Sequence, residues 1–205
     1  TGSVTEDGTS TATGTVASSD ADSDTLSYAI DTAAGTYGTL TMSGAAWTYT
    51  LDNSAANALD AGDAPTEVFT ITVSDATTSD TMTVTITVNG ADDAVDAGAA
   101  QTGSVTEDAT VTTATGTVAA TDPDADSAFT YAIGTAAGTY GSLAIDSAGA
   151  WTYTIDNSAA ATNALDAGDA PTEVFTITVT DTSSNLDDTM TVTITVNGAD
   201  DAVDA

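Results

Sequence analysis

The chain repeats itself almost residue for residue. The sequence NALDAGDAPTEVFTITV occupies residues 57–73 and again 163–179, and DTMTVTITVNGADDAVDA occupies 80–97 and again 188–205. Residues 1–97 therefore align with residues 102–205, and GAAQ at 98–101 links them. Because self-similarity at a fixed period is typical of tandem domains, we predict two copies of one domain, and we expect them to come from a longer array.

Within each repeat, apolar residues alternate with Thr and other polar residues. TMTVTITV and WTYTL are clear examples. A period of two places the apolar side chains on one face of a half-buried strand. Seven such strands in about 100 residues, with turns between them, predict an all-β fold of two tandem Greek-key sandwiches of the immunoglobulin type. The seven predicted strands of the first repeat are 3–6, 12–17, 26–30, 38–42, 47–51, 69–73 and 81–88.

One stretch of each repeat departs from this pattern. DNSAANALDAGD at 52–63 is rich in Ala, and we predict a short helical or turn-like crossover with Asn53 and Ser54 as its capping residues. The second copy is two residues longer, so we expect this crossover to be exposed. Every Trp, Tyr and Phe falls at an inward-facing strand position, which favours core packing over a surface that stacks sugars.

The composition excludes several classes of function. The 205 residues include no Lys, Arg, His or Cys, and the formal net charge is -31. Disulfides, nucleophilic triads and Schiff bases are therefore impossible, and only a carboxylate pair could perform acid–base chemistry, so we predict that the chain is not an enzyme. A surface this negative is a poor partner for nucleic acid, and no apolar run could enter a membrane. We expect a monomer.

The acidic residues are concentrated in loops. Asp20, Asp22 and Asp24 alternate directly after a predicted strand, and DPDAD at 122–126 is the second copy. Alternating acids can turn several oxygens toward one hard cation, although the Gly and Glu positions of an EF-hand are not matched. Glu6 and Glu107 end the first strand of each repeat and should lie near the acidic exit segments. Glu67 and Glu173 precede a strand and could simply be solvated.

These segments resemble a known family. SVTEDGTSTATGTVASSDADSDTLSYAI is similar to the opening of a cadherin repeat, and NALDAGD, VTVSD and NGADDAV resemble its later acidic segments. The fuller pattern is similar to the VCBS-type repeats of giant bacterial RTX adhesins. The resemblance implies cadherin-like sandwiches, calcium ions between neighbouring repeats, and an extender role in an extracellular, type I secreted protein at the bacterial cell surface.

The resemblance also implies a ligand set. It assigns one calcium junction within the chain, two half-junctions at its ends, and Asp126 as an additional ligand. Two departures weaken the match, because Gly62 replaces the second acid of the cadherin LDRE segment and the linker is NGADD. The junction residues are Glu6, Asp60, Asn89, Asp92, Asp93, Asp122, Asp124 and Asp181, and the half-junction residues are Asp20, Asp22, Asp75, Glu107, Asp166, Asn197, Asp200 and Asp201.

Two alternatives stay open at this point. The acids could be solvated or could form turns, which is the interpretation that we favour for Asp52, Asp80, Asp146 and Asp187. The repeats could also form an adhesive module that binds carbohydrate or a protein partner. That module would need exposed aromatic residues or a polar groove.

Overall fold

The structure is a computed structural model that describes residues 1–125 and 128–201. It divides the chain into two compact units. Unit 1 comprises Thr1–Asp93 together with the short segment that begins at Pro123, and unit 2 comprises Ala94–Asp122 and the remainder of the described chain. No helix among these residues is long and apolar enough to cross a membrane.

Unit 1 is a sandwich of two sheets. One sheet has the strand order β1-β7-β6-β3 and the other has the order β2-β5-β4. All neighbouring strands are antiparallel except β1 and β7, which are parallel. The strands are β1 Gly2–Thr5, β2 Thr11–Thr15, β3 Ser27–Ile30, β4 Gly38–Ser43, β5 Ala46–Leu51, β6 Thr66–Ser74 and β7 Ser79–Asn89.

Unit 2 repeats this architecture. Its sheets have the orders β10-β13-β14-β8 and β11-β12-β9, and β8 runs parallel to β14. The predicted all-β fold of two tandem sandwiches is therefore confirmed. The strands are β8 Gln101–Thr106, β9 Thr113–Thr117, β10 Phe129–Ile133, β11 Gly141–Ile145, β12 Ala150–Ile155, β13 Thr172–Asp181 and β14 Asp187–Asn197.

The alternating residues face the core as their spacing predicts. On β5, Trp47, Tyr49 and Leu51 are buried, whereas Thr50 is exposed. On β7, the side chains of Val84, Ile86 and Val88 are at most 1% exposed. Full burial of one such aliphatic side chain contributes about 1.5–3 kcal/mol, so the alternation itself holds the two sheets together. Unit 2 has a separate core around Trp151 and Tyr153.

The parallel pairing of β1 with β7 decides where the acidic residues lie. Val4 pairs with Val88 and Thr5 with Asn89, so both strands end at the same end of unit 1. The residues that follow the two strands, Glu6 and the segment from Gly90 onward, are therefore neighbours. Thr106 and Asn197 pair in the same way in unit 2.

The crossover is a short helix in unit 1 only. Helix α1, Asn53–Ala56, follows Asp52, whose Oδ1 accepts hydrogen bonds from Ser54 N at 3.2 Å and Ser54 Oγ at 2.6 Å. The N-cap is therefore Asp52 and not the predicted Asn53 or Ser54, which lie inside the helix. The Asn53 side-chain oxygen Oδ1 instead accepts a hydrogen bond from Asp7 N. The unit 2 crossover forms turns. Neither is wholly exposed, since Ala56 and Thr162 are fully buried.

Candidate functional site

Glu6 lies inside the acidic end of unit 1. Its backbone N–H donates to Asn89 O at 2.9 Å, and its side chain is only 1% exposed. The next residue, Asp7, has a φ of 50°, a left-handed conformation that Asp tolerates better than most residues. Asp7 N donates to the Asn53 side chain at 2.9 Å. This turn directs the chain back toward the surface directly after Glu6.

The buried Glu6 carboxyl group accepts only one hydrogen bond. Its Oε2 accepts one hydrogen bond, from Ala91 N at 3.3 Å, and its buried Oε1 has no hydrogen-bond partner. Burial raises the pKa of Glu6, and the negative charges of Asp93, Asp7 and Asp124 raise this pKa further, against the lowering effect of the Ala91 N–H. A buried acid with an unsatisfied oxygen and negative neighbours costs stability unless a cation binds there.

Other acids lie at the same end of unit 1, and Asp93 and Asp124 among them act on the Glu6 carboxyl group. Asp92 Oδ1 accepts from Ala61 N at 2.9 Å, which ties the exit segment to the loop after Asp60. Asp93 N donates to Asp124 Oδ2 at 2.7 Å, and Asp124 is 6% exposed. Asp124 belongs to the second sequence repeat but lies in the segment that groups with unit 1. Asp60 is half-buried.

Unit 2 has the same arrangement at the corresponding end. Glu107 is 2% exposed and its Oε1 accepts from Ala199 N at 2.8 Å, while Asp200 Oδ1 accepts from Ala167 N at 3.2 Å. Burial raises the pKa of Asp201, and the hydrogen bond and charge of Asp108 and the charge of Asp166 raise it further. The resemblance assigns Glu107, Asp166, Asn197, Asp200 and Asp201 to one half-junction, and in the structure Asp166 and Asp201 are close enough for their charges to interact.

Other predicted ligands have hydrogen-bonding roles within their own unit. Asn89 Nδ2 donates to Ser3 Oγ and to Val4 O, both at 2.8 Å, and Asn197 Nδ2 donates to Val105 O at 2.9 Å. These amides fasten the parallel strand pairs at the acidic end of each unit. Asp20 Oδ1 accepts from Asp22 N at 2.9 Å, so Asp20 shapes its own loop. Asp122 is half-buried in unit 2.

Asp75 and Asp181 each organise the turn after a long strand. Asp75 Oδ1 accepts from Thr77 N and Thr78 N, both at 2.6 Å, and these bonds lower the pKa of Asp75 to about 2. Asp181 is fully buried; its burial raises its pKa, but hydrogen bonds from Ser183 and from Ala128 N outweigh that effect and lower it. Asp126, the remaining predicted ligand, lies outside the described residues.

The described residues do not form a finished metal site. Among residues 1–125 and 128–201, no three acidic side chains converge closely enough to hold a metal ion by themselves. Two like charges 4 Å apart repel by roughly 4 kcal/mol at an effective dielectric constant of about 20, and no cationic side chain exists to draw them together. The orphaned Glu6 Oε1 and an all-oxygen donor set nevertheless fit a hard cation such as Ca²⁺.

Sequence reasoning missed a second kind of acidic residue. Glu67 is 8% exposed: its Oε2 accepts from Tyr49 OH at 2.5 Å, and its Oε1 accepts from Tyr37 N at 2.9 Å and from Thr36 N. Glu173 makes the same bonds with Tyr153, Tyr140 and Thr139. The expectation that these glutamates are solvated is wrong. The signal was available in the sequence, because Glu is rare and recurs at this position in both copies.

Comparisons with solved structures agree on the fold. The chain is similar to Drosophila N-cadherin EC1-4, with a TM-score of 0.55, 17% identity, and coverage of 96% of this chain and 47% of that chain. It is also similar to mouse cadherin-23 EC22-24, with a TM-score of 0.55, 20% identity, and coverage of 95% and 62%. The chain thus spans about half the length of the first cadherins that it matches. No curated protein matches it.

The family is shown by the sequence itself. Residues 1–90 and 91–198 each match the bacterial cadherin-like domain. Cadherin-like domains are adhesion and structural modules, and no enzyme family is indicated. Together the two matches cover almost all of the chain, so the chain belongs to the family of bacterial cadherin-like domains, of which it holds two in tandem.

Proposed function

We propose that the chain is a calcium-dependent structural extender of a large bacterial cell-surface adhesin of the RTX type. In this proposal, Ca²⁺ binds where one repeat joins the next and stiffens the array between a surface anchor and a distal binding domain. The observation that carries the proposal is the buried Oε1 of Glu6, which has no hydrogen-bond partner in a chain without Lys, Arg or His. Calcium would supply the missing positive charge and bridge carboxylates that otherwise repel one another.

The residues that would hold the ion come from several segments. Glu6 comes from the end of β1, Asp92 and Asp93 from the segment after β7, and Asp124 from the acidic loop of the second repeat. The resemblance adds Asp60, Asn89, Asp122 and Asp181. Because these groups are far apart in sequence, only the folded chain brings them together, and an ion that binds them raises the free energy of unfolding.

The extracellular setting is part of the same proposal. Calcium is abundant outside cells and scarce in the cytoplasm, so metal-coupled folding would keep the chain poorly structured until a type I system has secreted it. The composition supports this, because the chain has no cysteine and no disulfide could replace the metal as a source of stability.

The test compares two double variants of equal charge. Asp92→Ala with Asp93→Ala removes two proposed ligands, and Asp80→Ala with Asp187→Ala removes two exposed acids at the starts of β7 and β14. Calcium should raise the thermal unfolding midpoint of the parent chain and of the second variant by equal amounts, and should raise that of the first variant far less. Magnesium at the same ionic strength controls for screening. An equal calcium shift in both variants would exclude this site.

A further inference from the structure

The segment Ala94–Gly98 is part of the fold of unit 2. Val95 is 4% exposed and Ala97 is fully buried, and both belong to the core of unit 2. Asp96 pairs with Thr121 as an antiparallel bridge, with N–H to O distances of 2.8 and 2.9 Å. A segment that looks like a linker in the sequence therefore behaves as an added edge of the sandwich.

Further contacts fix the position of this segment. Ala97 N donates to Asp188 Oδ2 at 3.0 Å, and Gly98 N donates to Asp96 Oδ1 at 2.8 Å. Gly98 has a φ of 81°, and a Cβ at this position would lie 2.9 Å from Ala119 O, so only glycine fits. Every polar group that these contacts use belongs to unit 2.

Unit 1 has an open groove at the corresponding position. The groove has a volume of about 330 Å³, and Val16, Val73, Asp80 and Met82 are among the residues that line it. Within the described part of the chain, unit 1 has no counterpart of Ala94–Gly98 over these residues.

Residues of the filled groove in unit 2 are more buried than the matching residues of the open groove in unit 1. Val179 is fully buried and Met190 is 3% exposed, whereas their counterparts Val73 and Met82 are only half-buried. Asp188 is half-buried and accepts the Ala97 N–H, whereas its counterpart Asp80 is exposed. Val16, Val73, Asp80 and Met82 have identical counterparts in unit 2, where the segment Ala94–Gly98 packs on the same core.

We propose that the groove of unit 1 is a docking site for an AVDA segment that a neighbouring repeat of the same kind donates. The chain carries this sequence at Ala94–Ala97, and residues 202–205, which lie outside the described residues, repeat it. The occupant is recognised by a valine and an alanine two residues apart that enter the groove, and by backbone pairing of the residue between them. Each repeat is thus completed by the last residues of another repeat.

The test uses the whole chain with residues 91–101 copied ahead of Thr1, which gives unit 1 the same preceding sequence as unit 2. The readout is oxidation of individual methionines by hydrogen peroxide, which follows the exposure of the thioether. In the parent chain, Met82 should oxidise faster than Met190. The extension should slow Met82 oxidation by about tenfold, since burial of one valine shifts a local equilibrium by at least that factor. Met42 of the opposite sheet should not change.

A matched control carries the same extension with aspartate in place of its valine and of the alanine two residues later. This control should leave Met82 as reactive as in the parent chain. Conversely, Val95→Ala in the parent chain should speed Met190 oxidation without changing Met82. If the extension and its control protect Met82 equally, or if neither protects it, the groove does not accept this segment.

Discussion

At the residue scale, Glu67 in unit 1 and Glu173 in unit 2 are buried carboxylates that hydrogen bonds stabilise without any positive charge. Glu67 receives the Tyr49 hydroxyl at 2.5 Å and two backbone N–H groups of the loop at Thr36 and Tyr37. Hydrogen bonds to a charged acceptor are roughly twice as strong as neutral ones. These hydrogen bonds allow a chain without Lys, Arg or His to keep an acid inside the sandwich. Glu6 differs because its Oε1 accepts no hydrogen bond.

Removal of the tyrosine hydroxyl should leave the Glu67 carboxylate under-satisfied. We expect Tyr49→Phe to lower the free energy of unfolding by about 1–3 kcal/mol, because a buried charged acceptor loses one donor. Urea denaturation measures this loss. Tyr28→Phe is the control, since the Tyr28 hydroxyl bonds only an exposed Ser18 at 2.8 Å and its removal should cost less than about 0.5 kcal/mol. Equal losses in the two variants would contradict the role assigned to Glu67.

The same pairs should make stability depend on alkaline pH. Burial, the hydrogen bond with Glu67 or Glu173 and the charge of that glutamate all raise the pKa of Tyr49 and of Tyr153 above the usual 10.0. The folded chain therefore keeps protons that the unfolded chain releases, so this contribution to stability is complete below pH 10 and is lost as pH rises above it.

The expected result is a steady fall of the urea midpoint above about pH 10, because the unfolded state is then stabilised by tyrosine ionisation. The double variant Tyr49→Phe with Tyr153→Phe should be less stable at neutral pH but should show a shallower fall. Parallel curves for the parent chain and the variant would mean that these hydroxyls titrate alike in both states.

At the scale of elements, the sequence predicted strands well and their connections poorly. The alternation in TMTVTITV can be interpreted locally, because successive side chains of a strand point to opposite faces of the sheet. The two backbone donors of Glu67 lie 30 and 31 residues before it, and no local pattern connects them to it. The N-cap was misassigned for a similar reason, because Asn53 is occupied by Asp7, 46 residues away. Hydrogen bonds between polar groups far apart in the sequence could therefore not be predicted and were found only in the structure.

The loop before β4 is shaped by this buried carboxylate. A Cβ on Gly35 would lie 2.3 Å from Glu67 Oε1, so Gly35→Ala should push the carboxylate from its donors and destabilise unit 1 by about 1–3 kcal/mol. Gly8→Ala is the control, because the nearest atom to its Cβ would be 3.5 Å away and the second repeat has Ala109 at this position. Thermal unfolding should separate the two variants, and a tolerated Gly35→Ala would contradict the tight loop.

At the scale of the whole molecule, the tandem organisation and the family could be predicted from the repeats, whereas the ligand set remains a prediction. The acids that end β1 and follow β7 could be placed together because parallel strands end at the same end of a sheet. The structural use of Asn89 and Asn197, whose amides fasten strands, could not be predicted because a ligand and a strand fastener have the same sequence pattern. The groove beside Met82 was also not apparent in the sequence.

Under the proposed function, calcium stiffens the tandem array, and small-angle X-ray scattering tests this effect most directly. The chain is measured with calcium, with magnesium at equal ionic strength, and with a chelator. We expect the calcium form to have a longer maximum dimension and a narrower distribution of distances than the other two, and the variant Asp92→Ala with Asp93→Ala to resemble the chelated chain in all three. Identical distance distributions for the parent chain with calcium and with chelator would contradict the proposed function.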